Sequence, residues 1–418
     1  MSIWIQKFGG TSLSTSEARS YAVRHIKRAL SRQVKPVVVV SAMGRRGDPY
    51  ATDTLIDWIR QAGGNVPARE LDLLLSCGEI ISAVTLCAML QAESIPSTVL
   101  TGGQAGIITN DQYGSADIQS LDPQRIASLL EQGQVVIVAG FQGMTEEGDI
   151  TTLGRGGSDT TAAALGVALG AEYVDIFTDV PGVLTADPRL VKDARRLASV
   201  SYHEVGNMAY NGAKVVHPRA VELAMQGNIP LRVRSTFSDD EGTLVTFPEK
   251  TAGLIQDRYV TGIACVPNVA QIQVAAREGQ YDLELKVFKA MARHRISVDL
   301  ININPAGVLY TVCDHEADQA VNILGRIGFH ARALRNCAKV SVIGGGMNGV
   351  PGIMAQIVEA LSAEDIPILQ TADSNTTISV LVDGPSMAAA VRALHRKFSL
   401  HEWSGRSPDQ PAHPSVET

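Results

Sequence analysis

The chain has 418 residues, 45% of them hydrophobic and 19% charged, with a net charge of −7. That length suffices for two or three domains with cores of their own. The acidic balance argues against nucleic acid or an anionic membrane surface as the main partner. No apolar run approaches the roughly 18 residues that span a bilayer, and Met1 to Phe8 does not read as a signal peptide. Five scattered cysteines (Cys77, Cys87, Cys265, Cys313 and Cys337) lack metal-ligand spacing and read as reduced, buried thiols of a cytoplasmic protein, with no protein-held metal expected.

Ile3 to Phe8 is a short apolar run ending at Gly9-Gly10, a strand feeding a glycine turn. Ser14 and Glu17 have capping-box spacing, and Tyr21, Ile26, Ala29 and Leu30 follow at helical intervals. Val37 to Val40 is four valines in a row, as in a strand buried on both faces. The alternation continues with a helix over Leu71–Leu90, a strand over Thr98–Leu100, a helix over Pro123–Glu131 and a strand over Val135–Ala139. This order predicts a mostly parallel α/β sheet.

Thr151 to Ala164 reads T-T-L-G-R-G-G-S-D-T-T-A-A-A. Gly154, Gly156 and Gly157 mark a turn, because glycine loses the most entropy on ordering. Ser158 is expected to cap the helix that follows. A turn opening a helix offers free N–H groups and a positive dipole end, which suits an anion. Arg155 adds a planar fork for carboxylate or phosphate, and Asp159 falls in the first helical turn. A surface turn that binds nothing is the alternative reading. A strand over Tyr173–Phe177 then meets the turn-rich T-D-V-P-G-V-L-T-A-D-P-R at a carboxyl edge, where open α/β sheets bind ligands. Helices over His203–Tyr210 and His217–Gln226 and strands over Pro230–Arg234 and Thr243–Phe247 close this part, with a boundary near Pro248–Asp257.

The last third changes character. Val269–Ala276, Leu283–Arg293, Ile296–Ile303, Val308–Val312, Ala317–Ile327 and Phe329–Leu334 read as βαββαβ. The order begins again at Val340–Ile343, with Ile353–Leu361, Ile366–Leu369, Thr377–Val382 and Met387–Lys397, a repeat of about 70 residues. The second copy lacks a final strand. Val260–Val266 is spare and is expected to complete it, so that the first copy is inserted within the second. The organisation expected is an α/β domain over 1–250, a first βαββαβ copy over 269–336, a second over 258–267 with 337–403, and a disordered tail over 404–418.

No Walker A pattern, protein-kinase motif, nucleophile elbow or zinc motif is present. Taken together, K-F-G-G-T-S at Lys7, V-V-V-S-A-M-G at Ser41, L-L-L-S-C-G-E at Glu79, G-R-G-G-S-D-T-T, F-T-D-V-P-G-V-L-T-A-D-P-R and G-A-K-V-V-H-P-R closely resemble aspartate kinase of the amino acid kinase superfamily. The resemblance covers about residues 1 to 400. It implies a three-layer amino acid kinase sandwich followed by two ACT-like βαββαβ units that sense an end-product amino acid.

Carried onto matching positions, it implies that Lys7 contacts the transferred phosphoryl group, with Gly9 and Gly10 as backbone donors. Glu79 takes the substrate ammonium, Arg155 and Ser158 grip the α-carboxylate, Asp159 orients the site through lysine, and Thr52 reaches the aspartate. Ser41, Thr178, Asp179, Leu184, Asp187, Arg189 and Lys214 line the ATP site, with Mg²⁺ held mainly by the nucleotide phosphates. His217 is read as structural. The physics agrees: a β-carboxylate with a pKa of about 3.9 is ionised at neutral pH and needs no general base. A lone helical glutamate is usually solvent-facing, but Leu73–Leu75 and Ile80-Ile81 flank Glu79, and a carboxylate against an apolar wall needs a cationic partner.

Effector contacts are implied at Gln280, Tyr281, Val298, Asp299, Asn302 and Asn375. The first unit reads R-E-G-Q-Y-D where many lysine- or threonine-inhibited relatives carry an aspartate-x-proline-glycine turn, and so resembles the diaminopimelate-regulated branch. ACT units generally pair edge to edge, which implies a homodimer or larger assembly. Two other readings stay open: an amino acid kinase with another carboxylate or carbamate acceptor, and a catalytically silent amino-acid sensor.

Overall fold

Val37–Val40 and Val135–Ala139 leave almost nothing exposed, so both faces of the sheet that holds them must be covered. The computed structural model describes residues 2–63, 66–213, 215–247, 259–276, 282–347 and 349–402. It sets the two segments side by side in an eight-stranded sheet. The strand order is Ser199–Ser201, Thr243–Thr246, Leu231–Ser235, Tyr173–Thr178, Ile3–Phe8, Lys35–Val40, Val135–Ala139, Ser97–Leu100. The first two strands of that order run opposite to the other six, which are parallel.

One face is covered by the Ser16–Ser31 and Ala68–Ala92 helices, whose Val23, Ile26, Ala83 and Leu86 pack on Val38, Val40 and Ile137. On the other, Ala162 and Leu165 of the Gly157–Ala168 helix and Val221 of the Pro218–Gln226 helix meet Ile5, Val37, Val39 and Ile176. Three layers result. Because the strands are parallel, their loops gather at one edge, and the Ile3–Phe8 strand lies between two neighbours whose chains continue to opposite sides.

By length and composition alone, the Ala68–Ala92 helix could cross a bilayer. Asp72 and Glu79 interrupt it, so it does not stand out in the sequence as an unbroken apolar run. Here it is a core helix. Leu75, Ala83, Leu86 and Leu90 are buried, and so are both acids, which a lipid-facing helix would not tolerate.

The structure corrects several expectations. Of the five thiols only Cys337 is buried; Cys77 and Cys313 are exposed, since they fall on the outward sides of their helix and strand. Ser158 is not the cap of its helix: the helix begins at Gly157, Gly156 caps it in the left-handed region, and Ser158 and Asp159 lie inside the first turn. The Ser14–Glu17 capping box is absent, because the cap is Thr15, whose hydroxyl accepts the Ala18 N–H at 3.1 Å. Elements without a sequence signal are the Thr52–Gln61 helix and a small four-stranded sheet of Ile118–Leu121, Ile107–Thr109, Gln142–Met144 and Ile150–Thr152. Strands of three or four residues are too short for periodicity to reveal.

In the last third, the segments read as separate strands run together. Gly262–Ala275 is one strand of 14 residues and Ala331–Ile343 one of 13. Gly262–Val266 lies beside Lys339–Ile343, and Val269–Val274 beside Ala331–Cys337, with register shifts between. The six-stranded antiparallel sheet runs Asp299–Asn304, Gly307–Cys313, Gly262–Ala275, Ala331–Ile343, Thr377–Asp383, Gln370–Asp373. The strand expected over Ile366–Leu369 forms instead at Gln370–Asp373. Helices Leu283–Arg293 and Ala317–Arg326 cover one half, and Ile353–Ser362 and Met387–Lys397 the other. The expected boundary near 248–257 and the tail over 404–418 fall entirely outside the described residues.

Asp175, fully buried, binds Arg232 at 2.6 and 2.9 Å and lies 3.7 Å from Arg234 on the neighbouring strand. Replacing it strands two buried guanidinium groups. Asp175→Ala should therefore lower stability by about 3–5 kcal/mol, read as a shift of the urea unfolding midpoint.

Candidate functional site

The site is built on Lys7, at the end of the Ile3–Phe8 strand. Its ammonium lies 2.6 Å from Asp159 Oδ1, with side-chain exposures of 13% and 12%. The other Asp159 oxygen accepts the His217 backbone N–H at 3.1 Å. The His217 ring lies against Gly156, where a Cβ would stand 2.0 Å from ring Cγ. Gly156 also has φ +68°. Both the space and the dihedral demand glycine there. Asp159 thus ties a strand end, a helix start and the His217-Pro218 turn into one unit.

The Gly9-Gly10 turn lets the next loop approach. A Cβ on Gly10 would stand 2.6 Å from the Gly44 carbonyl and 2.8 Å from that of Ala42. Ser41 continues the neighbouring strand, its N–H on the Phe8 carbonyl at 3.1 Å. The Ala42 N–H is donated at 2.9 Å to Glu79 Oε1. Gly78 makes this possible, since a Cβ there would meet Ala42 Cβ at 2.8 Å.

Glu79 is only 2% exposed, and its Oε2 is buried with no hydrogen-bond partner among the described residues. Burial pushes its pKa from 4.5 up to about 8, the Ala42 N–H opposing the shift. No cation pairs with it among the described residues. A buried carboxyl with one free oxygen is a receptor for an ammonium ion.

Arg155 is exposed beside this edge, without an ion-pair partner among the described residues. Ser158 is buried, its Oγ close to Gly140 at the end of the Val135–Ala139 strand. Thr52 opens the Thr52–Gln61 helix. Thr178 and Asp179 end the Tyr173–Thr178 strand, and Arg45 closes over them with a 2.7 Å pair to Asp179. Leu184, Asp187 and Arg189 lie in the loop that follows, where the Arg189 guanidinium holds Asp187 at 2.6 Å. Lys214 lies outside the described residues.

Asp72 and Ala42 escaped sequence reasoning, whereas His217, read there as structural, does hold Asp159 through its backbone N–H. Asp72 is buried and accepts the Gly114 and Thr152 N–H groups at 2.9 and 2.7 Å and the Thr152 hydroxyl at 2.8 Å. It thereby fixes the strand that feeds the glycine turn. One signal was available: Asp72 and Glu79, two turns apart, share a face of an otherwise apolar helix.

Of the implied effector residues, Val298 and Asp299 line a cleft of about 340 Å³ together with Asn207, Asn211, Lys339 and Ser379. Asp299 forms an ion pair with the largely buried Lys339. Asn302 lies on the exposed side of its strand, accepting from Asn304 at 3.1 Å. Asn375 sits in the exposed turn between Ser374 and Thr377. Gln280 and Tyr281 lie outside the described residues.

Family models match residues 2–235 as amino acid kinase family and 332–396 as ACT domain. Aspartokinase 1 of Bacillus subtilis (strain 168) is 54% identical over 402 residues, covering 96% of this chain and all of the relative. The chain belongs to the aspartokinase branch of the amino acid kinase family. The aspartokinase of Geobacillus stearothermophilus is 40% identical, covering 96% of this chain and 98% of its own. Among solved structures, aspartokinase III of E. coli in complex with aspartate and ADP matches with a TM-score of 0.78 at 26% identity, over 94% of this chain and 99% of that one. The same enzyme in complex with lysine and aspartate matches with a TM-score of 0.72 at 27% identity, over 95% and 99%.

The raised pKa of Glu79 has a stability consequence. Between about pH 4.5 and about 8 the unfolded chain has lost this proton while the native chain keeps it, so stability falls as pH rises through that window. Glu79→Gln, which preserves the acceptor for Ala42, should raise the Tm of the ligand-free protein at pH 8. The difference from the parent should shrink toward pH 5.

Proposed function

We propose that the chain transfers the γ-phosphoryl group of ATP to the β-carboxylate of L-aspartate, giving 4-phospho-L-aspartate and ADP. That reaction opens the synthesis of aspartate-derived amino acids: lysine with diaminopimelate, threonine and methionine. The observation that carries the reading is the convergence of Lys7, Asp159 and the buried, half-satisfied Glu79 on one sheet edge. A carboxylate oxygen attacks the γ-phosphorus as the bond to the β–γ bridging oxygen breaks, and the electron pair leaves with ADP. No proton moves, so the protein's task is to offset repulsion between two anions.

Glu79 binds the substrate ammonium and Arg155 its α-carboxylate, with Ser158 beside it and Thr52 at the rim. Lys7, held by Asp159, contacts the transferred group, with Gly9, Gly10 and Ser41 approaching through backbone. Thr178, Asp179, Leu184, Asp187, Arg189 and Lys214 border the nucleotide. Mg²⁺ suits this edge as a metal carried on the nucleotide, because both Asp159 oxygens are already engaged and the ion keeps most of its waters. When bound it neutralises charge on the phosphates.

The ACT units supply feedback by an end-product amino acid taken in the cleft of Val298 and Asp299; the resemblance adds Gln280, Tyr281, Asn302 and Asn375 as effector contacts. Residues 258–267 with 337–403 form one unit and 269–336 the other. Exposed Ile301 and Ile303 on an edge strand support pairing with a second copy in the cytoplasm.

ADP release measured with aspartate, glutamate and other carboxylate acceptors tests the reading; turnover of glutamate with none of aspartate would overturn it. Titration with lysine, threonine and diaminopimelate, singly and in pairs, identifies the effector. Arg155→Ala should raise the KM for aspartate roughly tenfold or more, the scale of one charged hydrogen bond, with the KM for ATP nearly unchanged. Lys7→Ala should cut kcat by about 10²–10³, as for loss of one preorganised donor.

A further inference from the structure

A cluster used by neither catalysis nor the effector cleft lies where the loop following the Tyr173–Thr178 strand meets the last regulatory helix. His395, in the Met387–Lys397 helix, is 0% exposed. Its Nε2 lies 2.9 Å from Thr185 Oγ1, and its Nδ1 is buried with no hydrogen-bond partner among the described residues. His401, in the Leu400–Glu402 turn, also buries an Nδ1 with no hydrogen-bond partner among the described residues. Its Nε2 faces Glu402 at 3.7 Å, and its carbonyl accepts from Arg195 Nε at 3.0 Å. Asp193, on the loop, completes the set: one donor atom each from Asp193, His395 and His401 lie within 4.8 Å of one another.

Two imidazoles and a carboxylate are the donor set of zinc and its neighbours, whereas Mg²⁺ and Ca²⁺ select oxygen ligands. The hydrogen bond to Thr185 matches the outer-shell contact that orients a metal-bound histidine by holding its other nitrogen. The Thr185 oxygen is itself fixed, accepting the Arg195 N–H at 3.0 Å. A cation reached by both buried Nδ1 atoms would satisfy two groups that nothing else among the described residues satisfies.

We propose that Asp193, His395 and His401 form a binding site for a first-row transition-metal dication of the zinc type. The ion links the loop that carries Leu184, Asp187 and Arg189 to the final helix of the regulatory portion. Thr185 acts as a positioning residue, through His395.

The test uses the full-length chain, stripped with a chelator and titrated with Co²⁺ as an optical probe and Zn²⁺ by calorimetry. A single saturable equivalent is expected, with visible d–d absorbance and a rise in Tm on adding Zn²⁺. His401→Ala and Asp193→Asn, both outside the buried core, should abolish the absorbance and the Tm rise. Thr185→Val should weaken Zn²⁺ binding by about 10–100-fold. His401→Ala keeps the test decisive if His395→Ala does not fold. Absence of a saturable Co²⁺ signal, or uptake by Asp193→Asn and His401→Ala equal to that of the parent, would overturn the site.

Discussion

The ion pair between Lys7 and Asp159 is the constraint on which the site depends. Lysine is a flexible point charge, and at a strand end it would ordinarily sweep through solvent. Asp159 holds it, and the His217 amide holds Asp159 in turn. Largely buried pairs add little net stability once desolvation is counted. The gain lies in placement: a cation fixed between two glycine turns before any anion arrives.

Glu79 follows the opposite logic. Its carboxyl sits in an apolar helix with one oxygen on the Ala42 N–H and the other unpartnered among the described residues, so the protonated form is favoured until a cation comes. Binding an ammonium there couples substrate capture to ionisation. The cost of burying the acid in the free protein becomes selectivity for a positively charged ligand. Gly10 and Gly78 serve the same geometry, since a Cβ on either would push the Ala42 loop away.

The Tyr202–Tyr210 helix connects the two halves of the molecule. Asn207 donates to Thr376 at 2.6 Å, and Asn211, just beyond the helix, accepts from Ser341 at 2.9 Å. Glu204 accepts from Thr261 and from the Gly345 N–H. The cleft lined by Asn207 and Asn211 also holds Val298, Asp299 and Lys339. That cleft is therefore bordered by the helix and the regulatory strands at once.

Local pattern by itself determined the alternation of strands and helices, the carboxyl-edge position of the Lys7, Arg155 and Thr178 segments, and the repeated βαββαβ order. Each of these rests on spacing within a dozen residues, where periodicity and turn chemistry act directly. Tertiary structure alone decided that Gly156 rather than Ser158 caps the central helix, because the His217 ring arrives from a distant turn to occupy the space a side chain would need. It decided that Glu79 meets Ala42 and that Asp159 meets both Lys7 and His217. It also merged segments read as separate strands into two long ones, since their halves pair with different neighbours in a single sheet. The difference is one of range: a sequence window carries the propensity of its own backbone, whereas the partner of a buried polar atom is set by which remote segment packs against it.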